Sequence, residues 1–467
     1  MMKKTRFILP LLLLGFYTAY SQDWTGAKPN IVFILADDMG WKDPGYTGNN
    51  YHETPRIDSL AKQGVVFTNA YANAPNCAPS RASLMTGQYS PRHGIFTVAS
   101  PERGKSENRK LIPPENTREL APSFITFPEL LKEAGYATAS IGKWHLGGTA
   151  ETNPLAQGFD LNIGGDQRGS PKSHFSPYQN NNLTDGPEGE YLTDRLTDEA
   201  LKFIKDNRES PFFLYLTHFA VHTPLQGKRE LVEKYEDKPP PEGRHNAKYA
   251  AMMESFDESV GRVLDQLESL NLMENTLVVF FSDNGPYYRA SEATPLRGSK
   301  GMLYEGGVRE PLIVYWKGHT QIGTQIDEPV IGTDFYPTFL DLAGIKKPVS
   351  LVLDGESLVP LLHKGKGLGK RALYWHFPAY LEPYGGMTQK WRQVPASSIR
   401  MGDWKLIENF ETGALELYNL AEDIGESRNL VSERPAKAKA LYKALKKWRK
   451  KTNAPEPTQL NPEYKGQ

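Results

Sequence analysis

Between Asn30 and about Leu340, short runs rich in β-branched and aromatic residues alternate with longer amphipathic stretches. That alternation is the pattern of a mostly parallel sheet covered by helices on both faces. The predicted strands are Ile31–Ala36, Val65–Ala70, Ala137–Ile141, Phe212–Thr217, Thr276–Ser282 and Leu312–Trp316. Helix signals lie between them. Thr54 with Pro55 reads as an N-cap and first helical position with Gly64 just past the end, and Phe127 to Glu133 closes in the same way at Gly135. Thr193–Asn207 and Lys248–Leu270 are longer amphipathic helices. After about Leu361 the pattern changes to β-like pieces at Ala372–Phe377, Ser397–Met401, Trp404–Glu408 and Leu415–Asn419, followed by a Lys-rich helix from Pro435 to Lys451. The predicted fold class is therefore α/β, with a large domain over residues 28–360 and a smaller C-terminal α+β subdomain over 361–467.

The N-terminus changes the expected compartment. Lys3, Lys4 and Arg6 precede an apolar run from Phe7 to Phe16 and small residues at Ala19 and Ser21. Residues 1–21 read as a secretory signal peptide, the apolar run being shorter than the ~18–20 residues a membrane span requires. An exported protein without a membrane anchor, periplasmic or secreted, is the expectation. Lys+Arg and Asp+Glu are equal at 55 each, so the formal net charge is zero. No global field favours nucleic acid or a membrane surface, and any anion selectivity has to be local. The Lys-rich C-terminal helix is read as a solvated face. The chain has one cysteine, Cys77, which excludes an intramolecular disulfide and leaves a lone thiol in an oxidising compartment to be explained.

Chemistry-bearing residues follow the predicted strands: Asp37 and Asp38 after the first, Lys143 and His145 after the third, His218 and His222 after the fourth, Asp283 and Asn284 after the fifth. In open α/β sheets ligands bind beyond the carboxyl ends of the strands. Asp37, Asp38, Asp283 and Asn284 offer only oxygen donors, which suits Ca²⁺ or Mg²⁺ and argues against zinc. Cys77-Ala78-Pro79-Ser80-Arg81 opens a short helix, with Pro79 in its first turn and Gly87 past its end. A nucleophile placed there faces the positive helix end, where an anion is favoured.

That segment resembles the C-x-P-x-R signature of the type I sulfatases, of the alkaline phosphatase-like superfamily, whose cysteine is oxidised to formylglycine. Gly142-Lys143-Trp144-His145, His222-Thr223-Pro224, Asp283-Asn284-Gly285 and Gly298-Ser299-Lys300-Gly301 stand in the family's order, and the resemblance runs from about Lys28 to about Tyr418. It implies a calcium, or magnesium in its place, held by Asp37, Asp38, Asp283, Asn284 and the modified residue 77. Arg81 and Lys143 are expected to hold the formylglycine hydrate and His145 to touch its second hydroxyl, while His222 and Lys300 meet the sulfate and its bridging oxygen. A geminal diol can release sulfate by elimination, which a serine ester cannot do, so Ser at position 77 is expected to stall. The implied partners are a sulfated carbohydrate, as for bacterial exported polysaccharide sulfatases, and an enzyme that makes formylglycine. The competing readings are a phosphate or phosphonate ester hydrolase of the same superfamily and an inactive sugar-binding relative. Loops 162–178, with Arg168 and His174, and 378–392 are expected near the pocket. Tyr374 and Trp375 are expected in the core, and Tyr380, Tyr384 and Trp391 at a sugar-binding rim.

Overall fold

The computed structural model describes residues 28–466, so the expected leader at residues 1–21 lies outside the described residues. Eight strands, β1 (Asn30–Ala36), β2 (Val65–Phe67), β3 (Ala137–Gly142), β4 (Leu161–Ile163), β5 (Phe212–Thr217), β6 (Thr276–Ser282), β7 (Leu312–Tyr315) and β8 (Thr324–Ile326), form one sheet. Their spatial order is β4-β3-β5-β1-β6-β7-β2-β8. β7 runs antiparallel to both neighbours, and the other pairings are parallel.

β1 is buried on both faces, which is why it reads as an unbroken apolar run. Ile31, Phe33 and Leu35 enter one core with the helices Cys77–Thr86, Phe127–Glu133 and Phe335–Ala343. Val32, Ile34 and Ala36 enter the other, under the helices Pro55–Gln63, Leu192–Asp206 and Ala247–Ser269. Phe33 meets Phe335 edge to face at 5.0 Å between ring centroids. The C-terminal part forms a four-stranded antiparallel sheet, Ala372–Phe377, Ala396–Met401, Trp404–Asn409 and Leu415–Asn419, packed with the helix Pro435–Thr452. Its core also takes in Tyr71, Leu303 and Val308 from the larger part, and Trp375 Nε1 donates to the Ala72 carbonyl at 2.8 Å. The lysines of the last helix at 437, 439, 443, 446, 447 and 450 are exposed, as a solvated face requires. The α/β class and the antiparallel C-terminal subdomain are as predicted.

Three local expectations are corrected. The stretch Val65–Ala70 is not one strand: Val65–Phe67 joins the large sheet, and Ala70–Tyr71 pairs separately with Val330–Ile331. The chain divides at Thr68 and Asn69, where the Thr68 amide donates to the Ile326 carbonyl and Asn69 Nδ2 to that of Asp327. The helix after Thr54 does begin at Pro55, but Thr54 does not cap it; its hydroxyl donates to Asp58 at 3.0 Å. The cap comes from another helix: Asp257 accepts from the Arg56 and Ile57 amides at 3.1 and 2.7 Å, a tertiary solution no local pattern announces. Tyr380, expected at a rim, is fully buried, bonding Glu411 at 2.6 Å and the Leu111 amide at 3.0 Å.

Candidate active site

Four adjacent strands, β3, β5, β1 and β6, end at the same level, with Gly142 opposite Thr217 and Ala36 opposite Ser282. The residues that follow them therefore converge on one spot. Gly142 has φ +107, and a Cβ there would lie 1.9 Å from the Thr217 carbonyl oxygen, so only glycine lets β3 deliver Lys143 so close to β5. Asp38 and His145 both adopt the left-handed region, at φ +65, a local strain held by the surrounding structure.

The helix Cys77–Thr86 points its N-terminus into this spot, and all ten of its residues are buried. Cys77 Sγ lies 3.6 Å from Asp37 Oδ1, 3.9 Å from Asp38 Oδ1 and 3.3 Å from Lys300 Nζ. Lys143 Nζ donates to both oxygens of Asp37 at 2.8 and 2.7 Å, and Lys300 Nζ to both of Asp38 at 2.6 and 2.8 Å. Arg81 Nε donates to Asp283 Oδ2 at 2.8 Å, and its Nη1 to the Lys143 carbonyl at 2.8 Å and to the Thr217 hydroxyl. Asp283 Oδ1 accepts from the Asp38 amide at 3.3 Å, and Asn284 Nδ2 donates to Asp38 Oδ1 at 2.8 Å. The site thus gathers three carboxylates and three cations in a desolvated pocket, with the reactive position at a helix N-terminus.

The protonation states follow from this packing. Burial pushes the Cys77 thiol up to about 12, more than Lys143 and Lys300 offset, so the unmodified side chain is a neutral thiol and a poor nucleophile. Burial opposes charge on Lys300, but Asp38, Cys77 and Asp37 outweigh it and hold the ammonium well above its ordinary range. Burial also raises Asp37 and Asp283 against Lys143 and Arg81 respectively. His222 falls to about 3, through burial first and then Lys300. Its Nδ1 donates to the Thr223 carbonyl at 2.8 Å, which leaves the lone pair of Nε2 facing Asp38 Oδ2 at 3.7 Å.

The site has the donors to hold a metal ion. Ligand atoms of Asp37, Asp38, Cys77 and His222 all lie within 4.8 Å of one another. Asn284 Oδ1 is buried without a donor beside them, an oxygen acceptor that a cation would satisfy. Asp283, expected among the ligands, adjoins this group through the Asp38 amide and is paired with Arg81.

A cavity of about 430 Å³ opens over the site, lined by Asp38, Cys77, His145, His222 and Lys300. All the expected site residues are brought together. His218 stands apart, bonded to Ser259 at 2.9 Å under the Phe256 ring. His174 is buried behind the pocket, 3.2 Å from the His222 carbonyl, and Arg168 is tied to Asp166 and to the Gln179 carbonyl, so neither meets the cavity. Tyr384 does reach the cavity. Trp391 lines a neighbouring cleft of about 610 Å³ and packs on Tyr380 at 4.8 Å. Sequence reading missed Arg103 and Tyr287 in the cavity wall. Tyr287 lies four residues after Asp283, a spacing that could have placed it; Arg103 sits in an irregular segment without a signal.

Comparison with known proteins agrees with this geometry. Residues 29–345 match the Sulfatase family, and residues 299–453 match the family described as N-sulphoglucosamine sulphohydrolase, C-terminal. A sulfatase of Formosa agariphila is 35% identical, the alignment covering 97% of this chain and 95% of that protein. The N-acetylgalactosamine-6-sulfatase of Homo sapiens is 35% identical over 74% of this chain and 68% of its own. The crystal structure of Ps i-CgsB superposes with a TM-score of 0.76 at 30% identity, covering 93% of this chain and 95% of that one. A match over most of the chain, together with a cysteine at a helix N-terminus among paired carboxylates and lysines, means that the chain belongs to the sulfatase family and is a hydrolase of sulfate esters.

Proposed function

We propose that this chain removes sulfate from a carbohydrate outside the cytoplasm, with residue 77 converted to formylglycine and one Ca²⁺, or Mg²⁺ in its place, at Asp37, Asp38, Asp283 and Asn284. The observation that carries the reading is the placement of Cys77: on a helix N-terminus, 3.3 Å from Lys300 and within 3.9 Å of two carboxylates. A buried neutral thiol there has no evident use, whereas the modified residue supplies a hydroxyl nucleophile and the cation, when bound, polarises sulfate oxygens.

This chain's own residues divide the remaining work. Arg81 and Lys143, fixed by Asp283 and Asp37, hold residue 77 and its oxygens in place. His145 lines the same cavity with Nδ1 unpartnered and is positioned to touch the second hydroxyl. Lys300, kept protonated by Asp38, is the better donor to the leaving oxygen, because His222 is neutral with a lone pair toward the cavity. His222 then orients the sulfate. Conversion of Cys77 requires a formylglycine-generating partner, and residues 1–21 support export.

The carbohydrate class is supported by relatives. Ps i-CgsB has been crystallised in complex with k-i-k-neocarrahexaose. N-acetylgalactosamine-6-sulfatases are named for a sulfated sugar, while a steryl-sulfatase at 30% identity marks the other class. A panel of sulfated mono- and oligosaccharides set beside 4-nitrophenyl sulfate and 4-nitrophenyl phosphate tests the reading. Sulfate release from a saccharide supports it; turnover of aryl or steroid sulfates alone, or of the phosphate in preference, contradicts it.

A further inference from the structure

The wall of the catalytic cavity carries two guanidinium groups without a carboxylate partner among the described residues. Arg392 is 9% exposed, and its Nε and Nη1 have no hydrogen-bond partner. It is not a loose side chain. Its backbone amide donates to the Leu381 carbonyl at 2.9 Å, and the Leu381 amide to the Gln393 carbonyl at 2.9 Å, so an isolated antiparallel bridge closes the loop between them. The guanidinium carbon lies over the Tyr384 ring, 3.8 Å from its centroid, and that ring in turn stands edge-on to Tyr287 at 5.1 Å. Gly301, the residue after Lys300, is also a neighbour: it has φ +90, and a Cβ there would lie 2.7 Å from Leu381 Cδ1 and 3.0 Å from Arg392 Nε. Arg392 is thus packed against the residue that follows the catalytic lysine.

Arg103, half-buried, lines the same cavity and donates Nη2 to the Val98 carbonyl at 2.6 Å. Burial, and less strongly Arg103, work against the charge of Arg392, and Tyr384 and Asp38 offset them only in part. A wall that sets a buried guanidinium beside a half-buried one, with no carboxylate paired to either, leaves a site complete only when an anion enters. The cleaved sulfate already has Lys300, His222 and the helix N-terminus. Arginine's planar fork matches a sulfate or carboxylate through paired hydrogen bonds.

We propose that Arg392, with Arg103 beside it, binds a second anionic group of the substrate, a sulfate ester or a carboxylate carried by the sugar in addition to the sulfate that is removed. The inference rests on the carbohydrate reading above and narrows it: the substrate is a doubly anionic saccharide. Arg392 also lines the neighbouring cleft with Arg297 and Trp391, which gives the sugar chain a direction in which to continue.

The test compares kcat/KM of the wild type, Arg392→Gln, Arg392→Lys and Arg103→Gln on three matched saccharides. One carries a single sulfate, one a second sulfate, and one a single sulfate with a uronate neighbour. The wild type is expected to prefer one of the doubly anionic sugars, which identifies the second anion as sulfate or carboxylate. Arg392→Gln should lower that preference at least about 10-fold, mainly through KM, as loss of a charge-assisted hydrogen bond does. Arg392→Lys should keep part of it. Arg103→Gln, at a half-exposed position, gives the same reading should Arg392→Gln not fold. A wild type without preference, or a preference unchanged in Arg392→Gln and Arg103→Gln, overturns the proposal while leaving the carbohydrate reading intact. A wild type that cleaves 4-nitrophenyl sulfate and no saccharide overturns the carbohydrate reading and the proposal with it.

Discussion

Lys405→Met tests how the C-terminal sheet supports the catalytic loop. Lys405 Nζ lies 2.8 Å from Glu305 and 3.0 Å from Glu426, and all three side chains are fully buried. Glu305 stands five residues after Lys300, at the start of the short helix Glu305–Val308 that follows the site, and also bonds the Tyr71 hydroxyl at 2.6 Å. Removing the lysine strands two carboxylates that Arg309, 3.5 Å from Glu305, serves on one side only. Breaking a buried ion pair by deleting one partner costs about 3–5 kcal/mol. With an unfolding entropy of about 2.1 cal/mol/K per residue, the described chain carries roughly 0.9 kcal/mol/K, so the expected fall in Tm is about 3–5 °C. Calorimetry at pH 7 measures it directly. Because Glu305 anchors the short helix behind Lys300, kcat/KM should fall about 10-fold or more alongside, as displaced catalytic groups do. A Tm change under about 1 °C, on the same entropy scale, would refute the reasoning by showing that the carboxylates relax without their cation.

Further expectations concern pH, metal and leaving group. Burial pushes Glu426 up to about 7, above its ordinary 4.5, so the folded state holds that proton more tightly than the unfolded chain. Its contribution to stability is full below about 4.5 and is lost as pH rises through about 7. Glu426→Gln should therefore gain in Tm relative to wild type between pH 5 and pH 8; a relative loss over that interval contradicts the assignment. Chelation should abolish sulfate-ester hydrolysis and lower Tm, with calcium restoring both, whereas stoichiometric zinc or undiminished activity counts against an oxygen-ligated cation. Lys300→Met should reduce hydrolysis of a sugar sulfate about 10²- to 10⁴-fold and that of an aryl sulfate far less, since only the poor leaving group requires a proton. His222→Ala should reduce both alike, and a selective loss on the sugar sulfate would move the acid role to His222.

Six of the eight strands of the large sheet were legible in the sequence, because burial leaves apolar runs, as in β1, and because their polar followers stand out against them; the edge strands Leu161–Ile163 and Thr324–Ile326, three residues each and not fully buried, leave no such run and were missed. The site was legible for the same reason: Asp37, Lys143, His222 and Asp283 each follow a strand end, and the sheet order makes those four strands neighbours. Long-range solutions were not legible. Asp257 caps a helix some two hundred residues earlier, and the Lys405 node joins a β-strand, a short helix and a loop across the C-terminal interface. Tyr380 was misplaced because its loop composition suggests exposure, while burial depends on Glu411 and Leu111, neither of them near it in sequence. His218 shares its strand end with His222 but faces Ser259 instead, a difference of orientation that spacing does not encode.

Residue 77 is where the account can be tested most directly. Mass spectrometry of the peptide containing Cys77, taken from enzyme that actively hydrolyses sulfate esters, reads the chemical state of that side chain. The account predicts a peptide lighter than the cysteine form by the exchange of sulfur for oxygen with loss of two hydrogens, in a fraction that tracks specific activity across preparations, and a Cys77→Ser protein without sustained turnover. Full activity from a protein whose residue 77 is unmodified cysteine, or from Cys77→Ser, would contradict it.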